Sequence, residues 1–120
     1  SFLGGSWNGE ETAKQLIESF KAMIQKAHAK GIKIYGTTIM PFKGNNYYNE
    51  SREKGRQQVN EWIRNSGEYD GVIDFDAATR DPQQPDRLNP AFLFENDWLH
   101  PNADGYKVMG DCIDLKLFEK

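Results

Sequence analysis

Ile32-Lys33-Ile34-Tyr35-Gly36-Thr37-Thr38-Ile39-Met40, closed by Pro41, is the stretch from which the fold is read. β-branched Ile32, Ile34, Thr37, Thr38 and Ile39 suit a pleated, packed backbone, and a proline has no N–H with which to continue a ladder. The pattern predicts a buried strand over residues 32–40. Upstream, Ala13, Leu16, Ile17, Phe20, Met23, Ile24 and Ala27 recur at spacings of three and four, which predicts an amphipathic helix from Thr12 to a Gly31 C-cap. Helix, tight glycine turn and strand form the αβ half of a βαβ unit. Downstream, Val59, Trp62 and Ile63 give one apolar side to a helix over residues 50–65, with Arg52, Glu53, Arg56 and Glu61 expected outside. After Ser66-Gly67, residues 71–75 read as a second short strand. A last helix is expected over residues 101–118, burying Tyr106, Met109, Cys112, Ile113 and Leu117. Residues 1–9 read as loop, residues 81–86 as a polar Pro-punctuated loop, and Phe92-Leu93-Phe94 as a short buried plug.

The composition fits one soluble globular domain at most, since 120 residues with 38% hydrophobic content can bury only a modest core. A net charge of -3 argues against nucleic-acid binding, and Lys21, Lys26, Lys30 and Lys33 spread over a solvated face. No apolar run approaches the roughly 18 residues of a membrane span. The single Cys112 excludes an internal disulfide and is expected to be a buried, inert thiol. A secreted or periplasmic address is left open.

Chemistry concentrates in Asp97-Trp98-Leu99-His100-Pro101-Asn102, followed by Ala103-Asp104-Gly105-Tyr106. An acid three residues before a histidine, ahead of a proline that can open a helix, can fold back onto the imidazole. An imidazole held at one nitrogen by a carboxylate is a general base near neutral pH when its other nitrogen faces a hydroxyl. Helix capping is the competing role for the same aspartate. Elsewhere, Asp74 and Asp76 straddle the end of the second strand; two carboxylates so near each other can be acid–base partners or metal ligands, but here they read as turn caps and salt-bridge partners of Arg80 or Arg87. His28 is expected to satisfy the last carbonyls of its helix. The loop over residues 41–49 should sit on the ligand-binding edge of an open α/β sheet, its aromatics either lining a cleft or packing the loop.

The string D-x-x-H-P-N-x-x-G-Y resembles the last sequence block of the SGNH (GDSL-type) ester hydrolases. The segments K-I-Y-G-T-T-I-M-P-F, Y-Y-N-E and G-V-I-D-F-D-A-A-T-R-D-P resemble the second half of bacterial members of esterase or lysophospholipase-like type. The resemblance implies a three-layer α/β/α, flavodoxin-like fold with a parallel sheet. It also assigns the acid and the base of a Ser-His-Asp triad to Asp97 and His100.

In that family the nucleophile sits in an N-terminal Gly-Asp-Ser block, and a glycine and a Gly-x-Asn-Asp block supply oxyanion donors. None of those strings occurs here, and Ser6 in Gly4-Gly5-Ser6-Trp7 has no preceding strand to make a nucleophile turn. Two or three strands with three helices would also leave apolar helix surface without a sheet. Residues 1–120 are therefore expected to be the C-terminal part of a single domain, inactive alone, associating with its N-terminal part or a second copy. The expected substrate is a small-molecule or carbohydrate ester, with no cofactor and no metal, since two histidines and one cysteine make no zinc motif. The alternatives are an acetylesterase acting on acetylated polysaccharide and a non-catalytic α/β binding module.

Overall fold

The computed structural model describes residues 9–118. Helix α1 spans Gly9–Ala29, strand β1 Tyr35–Thr37, helix α2 Glu50–Asn65, strand β2 Gly71–Ile73 and the short helix α3 Phe75–Thr79. A long loop with a 3-10 turn at Pro90–Phe92 leads to α4, Ala103–Asp111, and a second 3-10 turn at Leu115–Phe118.

The two strands pair in parallel, with Tyr35 beside Gly71, Gly36 beside Val72 and Thr37 beside Ile73. One face of this ribbon lies on α1 and α2. There Val72 and Ile39 pack on a core of Ala13, Ile17, Val59 and Ile63, flanked by Phe20, Trp62 and Tyr69. Each of the larger aliphatic side chains in that core stabilises the fold by about 1.5–3 kcal/mol. On the other face the C-terminal turn closes over Tyr35 and Gly71: the Tyr35 hydroxyl donates to the Leu117 carbonyl at 2.5 Å. A Cβ on Gly71 would sit 2.4 Å from a Leu117 methyl. Helices on one face of a two-stranded parallel ribbon and a 3-10 turn on the other are consistent with an incomplete version of the α/β fold that the family resemblance implies.

α1 and α2 approach most closely where both carry glycine. The Gly9 amide donates to the Ser51 hydroxyl at 2.8 Å, and a Cβ on Gly55 would lie 2.5 Å from the Gly9 carbonyl oxygen. Asn49 caps α2 by accepting from the Arg52 amide, and Gly31, with φ of 70°, ends α1 as a left-handed C-terminal residue.

Several boundaries differ from the sequence reading. α1 begins at Gly9, not Thr12, and the rest of the expected N-terminal loop, Ser6 included, lies outside the described residues. β1 has three residues where nine were expected, because one partner strand pairs only that segment and Ile32 is left 55% exposed. β2 stops at Ile73, and Phe75 turns into α3 because Asp74 accepts from the Ala77 amide and caps it. The last helix breaks after Asp111: Tyr106 faces outward, and Met109, Cys112, Ile113 and Leu117 are half-buried. Met23 is exposed rather than part of the apolar stripe of α1. Of the expected plug only Leu93 is buried, while Phe94 is open to solvent.

The largest correction concerns Arg56, expected on the outside of α2 and found with no exposed surface. Its guanidinium donates to both Glu53 oxygens, to Asp76 Oδ1 at 2.8 Å and to the Ile39 carbonyl at 3.1 Å. Asn60 beside it exchanges two hydrogen bonds with the Ile39 backbone. α2 thus has an apolar stripe and a polar one, and the polar stripe ties the crossover helix to the carboxyl ends of both strands.

Candidate active site

The chain leaves 3-10 turn Pro90–Phe92 and re-enters regular structure at α4 through a narrow loop pinned at its base. Leu93 and Pro101 form an antiparallel bridge, and the Asn102 amide donates to the Phe92 carbonyl at 2.7 Å. Asn102 also caps α4, its side-chain oxygen accepting from the Gly105 amide while its Nδ2 donates to the Ala91 and Leu93 carbonyls. Gly105 has to be small here, since a Cβ would meet Pro101 at 2.8 Å.

Between these pins the backbone takes an unusual path. Glu95, Asn96 and Trp98 all have positive φ, at 52°, 56° and 57°. For residues with a side chain that conformation costs about 1–2 kcal/mol each. The turn persists because its polar groups are paired. Asp97 Oδ1 accepts from the amides of Leu99 and His100, both at 2.9 Å, and Asp97 Oδ2 lies 2.5 Å from His100 Nδ1. The amides of His100 and Leu99, then the imidazole, hold the Asp97 carboxyl at about 2. The acid is therefore a fixed anion, and the imidazole proton belongs on Nδ1, facing it. Among the described residues nothing bonds to His100 Nε2, and the side chain is 63% exposed.

His100 lines an open cleft of about 500 Å³ with Phe94, Glu95, Asp97, Pro101 and Tyr106. Of these, the sequence pattern puts Phe94 in a buried plug and Tyr106 on the buried face of the last helix, and it does not single out Glu95; only their placement around the D-x-x-H string could have suggested a cleft. The loop after β1 reaches this region, as expected for the strand carboxyl edge: Asn45 Nδ2 donates to the Asp97 carbonyl at 2.8 Å. Its aromatics do not line the cleft. Phe42 is buried against Tyr48, ring centroids 5.9 Å apart, so those two pack the loop, while Tyr47 is exposed.

The other candidates fall elsewhere. Asp74 caps α3 and both carboxylates pair as expected, but the partner they share is Arg64; Asp76 is also held by Arg56 and Arg80, and Arg87 instead pairs with Asp81. Burial pushes the Asp74 carboxyl up, and Arg64, the Ala77 amide and the Thr38 hydroxyl outweigh it, holding it at about 2. His28 does not cap α1; its Nε2 lies 2.9 Å from Asp70 Oδ2. Cys112 is half-buried rather than buried, its thiol donating to the Met109 carbonyl and pushed up by burial and by the charge of Asp74, which leaves it unreactive. Among the described residues no three His, Cys, Asp or Glu side chains converge as metal ligands, and no helix is long and apolar enough to cross a membrane.

The structure is thus of the α/β class, with an acid–imidazole pair on a loop ahead of its last helix. The chain belongs to the GDSL-like lipase/acylhydrolase family, whose model matches residues 4–108. Its fold is similar to that of a GDSL-like lipase from Bacteroides thetaiotaomicron, with a TM-score of 0.67 at 20% identity over 95% of this chain and 54% of that one. A putative acylhydrolase from Bacteroides fragilis gives a TM-score of 0.62 at 20% identity, covering 95% of this chain and 53% of that one. The chain therefore spans about half the length of these solved structures. No curated protein matches it.

Proposed function

We propose that Asp97 and His100 are the acid and the base of a serine-type carboxylic ester hydrolase. In this reading residues 1–120 are the C-terminal part of a single domain, and the part bearing the nucleophile lies outside them. The observation that carries it is the pairing of Asp97 with His100 Nδ1 while Nε2 has no partner among the described residues and the ring lines a cleft.

His100 Nε2 takes the proton of a serine hydroxyl as its oxygen attacks the ester carbonyl carbon. The resulting imidazolium is stabilised by Asp97, which remains ionised because its carboxyl is held at about 2. Collapse of the tetrahedral intermediate breaks the bond to the alcohol oxygen, and His100 returns the proton to that oxygen. Water, deprotonated by the same imidazole, then attacks the acyl-enzyme carbonyl, and as the bond to the serine oxygen breaks His100 returns that proton to it, releasing the carboxylic acid and the free serine. The substrate is a small-molecule or carbohydrate ester, and no step calls on a metal or a cofactor.

The test is His100→Ala in a longer protein that carries the serine, assayed with a short-chain aryl ester. Turnover should fall by about 10²–10⁴-fold, the usual share of general acid–base catalysis. Unchanged turnover would make the loop a cap and the chain a binding module. Comparing acetylated oligosaccharides with longer acyl esters separates the two substrate classes.

A further inference from the structure

We propose that Trp98 is a positioning residue, wedged between Gly44 and Arg87 so that the indole fixes the turn from which Asp97 holds His100. The inference rests on the functional reading above and deepens it, because it concerns the orientation of the proposed base.

Three segments meet at this ring. From the loop after β1, Gly44 lies against one side: a Cβ there would sit 2.6 Å from Trp98 Cγ, and with φ of 103° the position is in any case one that glycine favours. From the loop before 3-10 turn Pro90–Phe92, the Arg87 guanidinium lies 5.0 Å from the indole centroid. Arg87 is itself fixed, donating from Nε to Asp81 Oδ2 at 2.9 Å, while the Asp81 amide donates to the Arg87 carbonyl at 2.9 Å. A cation over an indole face is the strongest of the cation–aromatic contacts.

The ring is also placed where it has most leverage. Trp98 follows Asp97 directly and holds one of the three positive φ angles of the loop. A strained backbone persists only where its surroundings over-determine it. Within the turn, the carboxylate of Asp97 supplies local bonds to Leu99 and His100. Beyond the pins at the base of the loop, the Asn45 bond to the Asp97 carbonyl and the Trp98 wedge tie it to other segments of the molecule. Asn45 and the Gly44 side of the wedge come from the same loop, and the Arg87 side comes from the 81–88 loop. The orientation of His100 is therefore set by the 41–49 and 81–88 loops as well as by the acid.

The experiment is 15N NMR of the two imidazoles in the 120-residue chain. His28, on its separate Asp70 partner, serves as an internal control. In the unaltered protein His100 should show one dominant tautomer, with a protonated Nδ1 and a bare Nε2. Trp98→Ala and Gly44→Ala should move the two His100 ring nitrogens toward a common averaged shift and leave His28 unchanged. Trp98→Phe, which keeps a ring in the slot, should restore most of the separation. Retention of the single tautomer in Trp98→Ala overturns the proposal, as does parallel loss of order at His28, which would make the indole a general core residue. If Trp98→Ala does not fold, Gly44→Ala decides in the same way. The readout needs no ester turnover, so a braced His100 whose removal leaves hydrolysis intact would sink the functional reading and leave this one standing.

Discussion

Arg56 Nη1 and Asp76 Oδ1 meet at 2.8 Å with neither side chain open to solvent. Breaking a buried ion pair from one side leaves an uncompensated charge and typically costs about 3–5 kcal/mol. Asp76 retains Arg64 at 2.7 Å and Arg80 at 3.2 Å, so the low end of that range applies. Arg56→Ala should therefore lower unfolding free energy by about 3 kcal/mol in urea titrations. Arg80→Ala, which removes a guanidinium that is itself largely exposed from the same carboxylate, should cost no more than about 1 kcal/mol. Equal effects of the two substitutions would show that burial does not govern the network.

Acid should unfold the chain within a definite window. The carboxyls of Asp74 and Asp97 both lie at about 2 against an ordinary 3.8, and those of Asp70 and Asp81 are also lowered. A carboxyl depressed in the folded state contributes stability that is fully present above its unfolded value and is lost as pH falls through the folded one. The melting temperature should hold above about pH 4 and drop steadily toward pH 2. Asp97→Asn should remove part of that slope, measured by thermal scans across the same interval.

How far the sequence could be read depends on where each signal lies. Helix α2 has a side-chain N-cap at Asn49 and a strict apolar stripe, both local, and its bounds of residues 50–65 were legible. β1 was not, because strand length depends on which partner arrives: β-branched residues over 32–40 say that a strand is possible, but only Tyr35–Thr37 meets β2. Arg56 was placed outside because a charge on a helix defaults to solvent. Its burial requires Asp76, twenty residues away and brought near only by the sheet. In the site, the Asp97–His100 contact is short-range and could be anticipated from spacing. The Trp98 slot joins residues 44, 87 and 98, and nothing in a one-dimensional pattern links them.

Substituting the acid tests its role without deleting the base. Asp97→Asn keeps a side chain of the same shape and the bonds from the Leu99 and His100 amides, but it removes the charge facing Nδ1 that, in the proposed mechanism, stabilises the imidazolium. In a longer protein carrying the serine, kcat should fall by about 10²–10⁴-fold while KM changes little, since the acid acts chiefly in the transition state. A rise in KM alone would point to substrate binding instead.

The 120-residue chain by itself should not turn over aryl esters or take up a serine-directed fluorophosphonate. Mass spectrometry of the treated protein should show the unmodified mass. Stoichiometric labelling at Ser6 would place the nucleophile within this chain and overturn the proposed division of the triad.

Gly55→Ala sets two effects of known size against each other. Alanine is the better helix former by about 1 kcal/mol, so on an exposed helix the change would stabilise. Here the new Cβ would lie 2.5 Å from the Gly9 carbonyl oxygen and 3.0 Å from its carbon, both backbone atoms that cannot swing aside. α1 must then move away from α2, loosening Ala13, Ile17, Val59 and Ile63, which are all in the core they share. Overpacking of that kind costs about 1–3 kcal/mol, which exceeds or offsets the propensity gain. The variant should therefore be less stable than the parent by up to about 2 kcal/mol in urea titration. Gly110→Ala, in α4 with nothing near its would-be Cβ, should be neutral or stabilising. If Gly55→Ala gains stability as well, Gly9 and Gly55 do not set the distance between α1 and α2.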